Sequence, residues 1–162
     1  AGDKGFYFGD GVSEEANIGV DDEGGIVVTS RTNQGKIWQS RSIDNGATWH
    51  SGWAKFHDGR DLATPRANTP MIELPEGRLA LWHHDNKHQG FGHRNPVFVS
   101  CAGEIGENGP RWGESKVLIC DGDDSVRISY PSFLLRGDAL LIAETSKTEV
   151  RLHRIPATAM CN

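Results

Sequence analysis

Arg31 and Arg94 stand 63 residues apart, the same interval that separates two copies of a repeated motif. A guanidinium is planar, stays charged and pairs with both oxygens of a carboxylate, so two of them brought together would hold an anionic ligand. Four histidines, His83, His84, His88 and His93, crowd the stretch before Arg94. Their spacing matches no zinc signature such as H-E-x-x-H and no cysteine is near, so neither a metal nor another cofactor is expected. A loop at the rim of a ligand pocket is the expectation instead, with Trp82 and the histidines offering stacking and hydrogen bonds. Ser42, Asp44, Gly46 and Trp49 spell S-x-D-x-G-x-x-W. That chemistry is structural. The carboxylate accepts backbone N–H bonds in a tight turn, the glycine allows a backbone that Cβ would obstruct, and the indole packs over the hairpin.

The elements that must carry these side chains are short strands. Apolar runs at 26–28, 79–82, 97–99, 117–119 and 140–142 are separated by turn signals at Gly24-Gly25, Pro75-Glu76-Gly77, Asn108-Gly109-Pro110 and Gly137-Asp138. With 20 glycines, 7 prolines and no long 3.6-residue periodicity, the chain reads as all-β and antiparallel, not as a helical bundle. Its 162 residues fit a single domain, 1–162. No run approaches the roughly 18–20 consecutive apolar residues of a membrane-spanning helix. A net charge of -5 argues against a general nucleic-acid binder. Of the cysteines, Cys101, Cys120 and Cys161, at least one is left over. A Cys101–Cys120 bridge across neighbouring strands and two unpaired, buried thiols both fit. The chain opens at Ala1 with no signal peptide in view, and a secreted or periplasmic location is the expectation.

The strands come in repeats. NTPMIELPEGRLALW from Asn68 returns as SYPSFLLRGDALLIA from Ser129, and NIGVDDEGGIVVTSR from Asn17 has the same strand, turn, strand form. SIDNGATW from Ser42 returns in degenerate form as IGENGPRW from Ile105. The two elements alternate, so each unit is expected to be four strands, the make-up of a propeller blade. The chain then supplies about three blades of a ring that needs about four to eight. Equal offsets would place Arg31 and Arg94 at equivalent positions in successive blades, both facing the axis.

These residues, in this order, resemble the C-terminal half of bacterial-type exo-sialidases, which are six-bladed Asp-box (BNR-repeat) propellers. The resemblance covers almost the whole chain. It implies that SEEANIGVDDEGGIVVTSR supplies a base, Glu15 or alternatively Glu14, and a substrate-binding Arg31. It implies a second substrate-binding arginine, Arg94, in His93-Arg94-Asn95-Pro96, and a nucleophile, Tyr130, followed by a supporting Glu144 that holds an arginine in position. The family's first arginine and its acid/base Asp precede the matched region, so no residue here is assigned to them. Pro131 departs from the pattern.

The implied substrate is a terminal sialic acid or a related acidic sugar, cleaved with retention. Its carboxylate sits on the anomeric carbon and would repel a carboxylate nucleophile, whereas a tyrosine is neutral until it gives up its proton. An unperturbed phenol titrates near pH ~10, so it needs a base beside it. The residue types alone also fit an edge-strand aromatic at Tyr130 and solvated charges at Glu15, whose neighbours include Glu14, Asp21, Asp22 and Glu23. Two other functions share the scaffold: an Asp-box propeller that binds glycans or proteins without catalysis, and a polysaccharide lyase using Tyr with His. Three blades leave two open sheet edges, so the missing part of the ring or a second copy of the chain is expected as a partner.

Overall fold

The computed structural model describes residues 13–146 and 148–161, and within them the chain is all-β apart from two 3-10 turns, Pro75–Gly77 and Ala157–Ala159. The first sheet is an antiparallel meander of β1 (Ser13–Val20), β2 (Ile26–Thr32), β3 (Trp38–Ser42) and β4 (His50–Trp53). The second holds β5 (Met71–Glu73), β6 (Leu79–His83), β7 (Val97–Gly106), β8 (Gly109–Trp112) and β9 (Lys116–Ile119). Both β8 and β9 pair with β7, one along each half, so together they act as a single interrupted outer strand. The third sheet is β10 (Ser129–Arg136), β11 (Ala139–Ser146) and β12 (Glu149–Pro156). All five apolar runs read from the sequence lie in strands.

Why those runs are continuously apolar follows from the packing. In β6, Leu79 and Leu81 enter a core with Val27, Ile37, Phe56, Leu62 and Trp112 on the side of the first sheet. Ala80 and Trp82 enter the other core, with Val97, Val99, Leu140, Ile142 and Met160, on the side of the third. Side chains alternate across a strand, so a sheet buried on both faces needs apolar residues at every position. A buried polar tie joins the first two sheets. Trp112 Nε1 donates to Gln39 Oε1 at 2.7 Å, and Gln39 Nε2 donates to the carbonyls of Asn108 and Pro110 at 3.1 Å.

The S-x-D-x-G-x-x-W stretch closes the turn between β3 and β4. Asp44 accepts from the Thr48 amide at 2.8 Å and hydroxyl at 2.6 Å and from the Ser42 hydroxyl at 2.8 Å, and these bonds hold its carboxyl at about 2. Gly46, at φ 87°, takes a backbone that side chains disfavour, and its carbonyl accepts from Trp49 Nε1 at 3.0 Å. The degenerate copy does not adopt this form. Gly106 pairs directly with Gly109, leaving a two-residue Glu107-Asn108 turn, and Trp112 is pulled into the core as a β8 residue. Without the Ser and Asp that tie the longer loop, the shortest hairpin wins.

The cysteine pairing also differs from expectation. Cys101 bridges Cys161, 60 residues on, and Cys120 is an exposed free thiol. The register explains this. β9 runs antiparallel along β7 with Ile119 opposite Val97, so Cys120 lies beyond the far end of β7 from Cys101. The bridge instead ties the second sheet to the tail that follows the third, beside Met160 in the core. Closing a loop of that length restricts the unfolded chain. Cys161→Ser is therefore expected to lower unfolding free energy in urea by about 2–4 kcal/mol, whereas Cys120→Ser leaves it unchanged.

Candidate functional site

Two β-bulges build the site. Ser13 pairs with Thr32 but Ala16 pairs with Ser30, so Glu14 and Glu15 together oppose Arg31. Ser129 pairs with Thr145 but Ser132 pairs with Ala143, so Tyr130 and Pro131 together oppose Glu144. A bulge re-aims side chains and interrupts the ladder. That accounts for Pro131, since a proline in a strand is tolerated where no ladder N–H is required. Tyr130 sits at φ 49°, the left-handed region, and its amide donates to Asn68 Oδ1 at 3.3 Å. For a bulky residue that backbone costs about 1–3 kcal/mol, and its use is to turn the phenol into the site.

The bulges and the connection between β6 and β7 bring four of the sequence-predicted residues together. Tyr130 donates its hydroxyl to Glu15 Oε1 at 3.5 Å, and the other oxygen of Glu15 lies 2.9 Å from Arg31 Nη1. Arg31 Nε also donates to Glu14 Oε2 at 2.8 Å. Arg94 lies with its guanidinium carbon 5.8 Å from the Tyr130 ring centroid. Glu15, then, is the carboxylate beside the phenol, while Glu14 serves the arginines.

Arg94 is the least ordinary of the group. It is only 5% exposed, and among the described residues no carboxylate touches it. Its bonds go to neutral acceptors, the Ser129 hydroxyl at 2.8 Å and the Arg66 carbonyl at 2.6 Å, and its Nε is buried with no partner. Burial pushes its pKa below the usual range, with Tyr130 opposing that and the neighbouring Arg31 and Arg127 adding to it. The equivalence expected of the two arginines does not hold. Arg31 is on β2, whereas Arg94 arrives from the long connection between β6 and β7. They nonetheless converge, because that connection folds back over the end of β2.

Sequence reasoning passed over two members of the cluster. Arg66 donates through Nε to Glu14 Oε2 at 2.8 Å and through Nη2 to Glu14 Oε1, so one carboxylate ties Arg31 to Arg66. Phe91, from the same connection as Arg94, has all three guanidinium carbons near its ring, Arg66 at 4.5 Å, Arg31 at 5.8 Å and Arg94 at 5.9 Å. A signal for Arg66 was present. Extending the repeat two residues upstream aligns Arg66-Ala67-Asn68-Thr69-Pro70 with Arg127-Ile128-Ser129-Tyr130-Pro131.

Glu144 stands apart from the cluster. It is fully buried and accepts from Arg151 Nε at 2.6 Å, so it does hold an arginine, but the one directly opposite on β12 and not Arg31 or Arg94. Trp82, His83 and His84 do not line a pocket rim either. Trp82 is in the core, His83 bonds the Ser100 hydroxyl at 3.0 Å, and His84 Nδ1 donates to the Pro96 carbonyl at 3.3 Å. His88 and His93 do lie on the exposed connection, their ring centroids 4.1 Å apart and tilted by 39°.

No protein-family model matches the chain, and no curated protein does. Among solved structures the chain is similar to a Trypanosoma rangeli sialidase in complex with sialic acid, with a TM-score of 0.57 and 16% identity over 90% of this chain and 23% of that one. It is also similar to the α-L-arabinofuranosidase Arb93A from Fusarium graminearum in complex with an iminosugar inhibitor, with a TM-score of 0.56 and 14% identity over 91% of this chain and 45% of that one. The chain therefore spans less than half the length of either. At such identities the likeness is one of fold: the three sheets are blades of a partial β-propeller.

Burial keeps His83 and His84 neutral, each at about 3 against 6.5 when free. Between those values the unfolded chain binds more protons, so stability falls as pH drops from about 6.5 towards 3, by up to ~1.4 kcal/mol per pH unit for each imidazole. Urea midpoints measured at pH 7, 5.5 and 4.5 are expected to decline, and His84→Phe to flatten the decline. A flat wild-type profile would contradict the buried, neutral assignment.

Proposed function

We propose that this chain is part of a retaining exo-glycosidase that removes a terminal sialic acid or a related acidic sugar. The observation that carries the reading is the meeting of a phenol, its carboxylate partner and two buried guanidinium groups, one of which has no internal anion. Arg31 and Arg94 would take the sugar carboxylate, which fixes the anomeric carbon over Tyr130. As the phenol oxygen bonds to that carbon, its proton passes to Glu15 and the bond to the leaving oxygen breaks. The leaving oxygen is protonated by an acid that the family resemblance assigns to a part of the ring outside this sequence. Water then attacks the glycosyl–tyrosine, giving its proton to that same external acid, now a base, and the phenol is restored as Glu15 returns the proton it took. Arg31 holds Glu15 in reach of the phenol. The S-x-D-x-G-x-x-W sequence at Ser42–Trp49 resembles the Asp-box of such propellers and supports the reading.

A non-catalytic glycan binder would share the arginines but has no use for a phenol turned by a strained backbone onto a carboxylate. A lyase would need a histidine at Tyr130. None bonds to it among the described residues, and His83 and His84 are committed to the core. The third sheet leaves Leu134, Val150 and Leu152 exposed, apolar surface of the kind a further blade covers, and we propose that more of the ring or a second copy packs there.

The test is turnover of a fluorogenic aryl sialoside by the full-length protein. Tyr130→Phe is expected to lower kcat by roughly 10³-fold or more, and Glu15→Gln by roughly 10²–10⁴-fold. Full turnover by Tyr130→Phe would overturn the assignment, and tight sugar binding with no product would favour the binder.

A further inference from the structure

We infer that Phe91 is the gate of the arginine site, a ring that covers Arg94 in this structure and must swing aside before a carboxylate can reach it. The identity of that carboxylate rests on the acidic-sugar reading above. The gate itself stands on geometry. An anion receptor has to be reachable, and Arg94 is closed: it is 5% exposed, and its Nε is buried with no partner. A guanidinium N–H left dry and unpaired is costly, so an acceptor that got past the cover would be favoured there.

Which neighbour moves follows from how each is held. The Ser129 hydroxyl and the Arg66 carbonyl accept from the terminal nitrogens of Arg94, and the rings of Tyr130 and Phe91 stand 5.8 Å and 5.9 Å from its guanidinium carbon. The first three are fixed. Ser129 pairs with Thr145 across β10 and β11, and Arg66 is tied through its amide to the Gly90 carbonyl and through Nε to Glu14. Tyr130 is held by its amide on Asn68 and its hydroxyl on Glu15. Phe91 has no such tie. It is 47% exposed, and among the described residues no hydrogen bond holds its backbone or that of Gly92.

The chain on either side of this pair is pinned. Before it, the Gly90 carbonyl accepts from Arg66 N at 3.0 Å. After it, Asn86 Nδ2 donates to the His93 carbonyl at 2.9 Å, and Asn95 Nδ2 donates to the Asp121 carbonyl at 2.9 Å. Phe91 and Gly92 therefore form a short free span between anchored ends, and the ring can leave while the connection keeps its path. What holds the ring closed is its attraction to the guanidinium groups of Arg66, Arg31 and Arg94, which is weak at an exposed site. A carboxylate offers the same cations a full charge and paired hydrogen bonds, so it outcompetes the ring. Until it does, the closed fraction lowers the apparent affinity of the site.

Phenylglyoxal, which reacts with accessible guanidinium groups, tests the gate with no sugar present. In the full-length protein, with peptides mapped by mass spectrometry, Phe91→Ala is expected to speed modification of Arg94 by roughly fivefold or more. Arg154, exposed on β12, serves as the internal standard and is expected to react at one rate throughout. At Gly92 an added methyl meets nothing within 4 Å and φ lies outside the left-handed region, so Gly92→Ala narrows only the backbone's range and is expected to slow the reaction. By calorimetry, N-acetylneuraminic acid is expected to bind Phe91→Ala roughly fivefold more tightly than the wild type, because the closed fraction is gone. A ring that served as part of the sugar's own contact surface would give the opposite sign. Modification of Arg94 at the wild-type rate in Phe91→Ala, or weaker sugar binding by that variant, would overturn the inference. Faster modification in a protein that binds no acidic sugar would keep the gate and refute the acidic-sugar reading.

Discussion

A guanidinium moved out of water must recover its lost hydration from acceptors or from an anion, and an uncompensated charge in the interior is expensive. Arg94 recovers it only in part. Two neutral oxygens meet its terminal nitrogens while Nε goes without, and Arg31 and Arg127 add repulsion. Arg31 and Arg66, by contrast, are already neutralised by Glu14 and Glu15. The site as a whole thus carries one positive charge more than its own carboxylates offset, concentrated on the most buried arginine. An anion arriving there would relieve a cost that folding has left standing.

The fold bears that cost because the segments that create it are fixed by other interactions. The connection between β6 and β7 is pinned through His84 and Pro96, and the strand ends beneath it are anchored by cores on both faces of the second sheet. Bulges at corresponding places in the first strands of the first and third sheets then tilt Glu15 and Tyr130 towards each other across the gap. Positioning therefore comes from sheet register, and the two side chains that meet sit at the two irregularities, which is where functional devices concentrate in β-proteins.

Most of the strands were legible because a sheet buried on two faces forces unbroken apolar runs, and the glycine turns between them have few other uses. Tyr130, Glu15, Arg31 and Arg94 were legible through an ordered resemblance and not through spacing, since the matching 63-residue offset turned out to join unlike positions. Arg66 and Phe91 escaped because their partners are remote in sequence; Arg66 meets Glu14 from 52 residues away. The Cys101–Cys161 bridge escaped for the same reason, being decided by where the tail after the third sheet returns. Glu144 was read as holding an arginine without naming which; strand pairing with β12 makes it Arg151, and that partner cannot be read from its position after Tyr130.

The central claim is that the buried charge at Arg94 awaits the carboxylate of a sugar. Calorimetric titration of N-acetylneuraminic acid and of its methyl ester into the same protein tests it, because esterification removes the negative charge and keeps the ring. The acid is expected to bind at least roughly tenfold more tightly than the ester. Equal affinities, or a tighter ester, would show that Arg94 is not a receptor for the carboxylate.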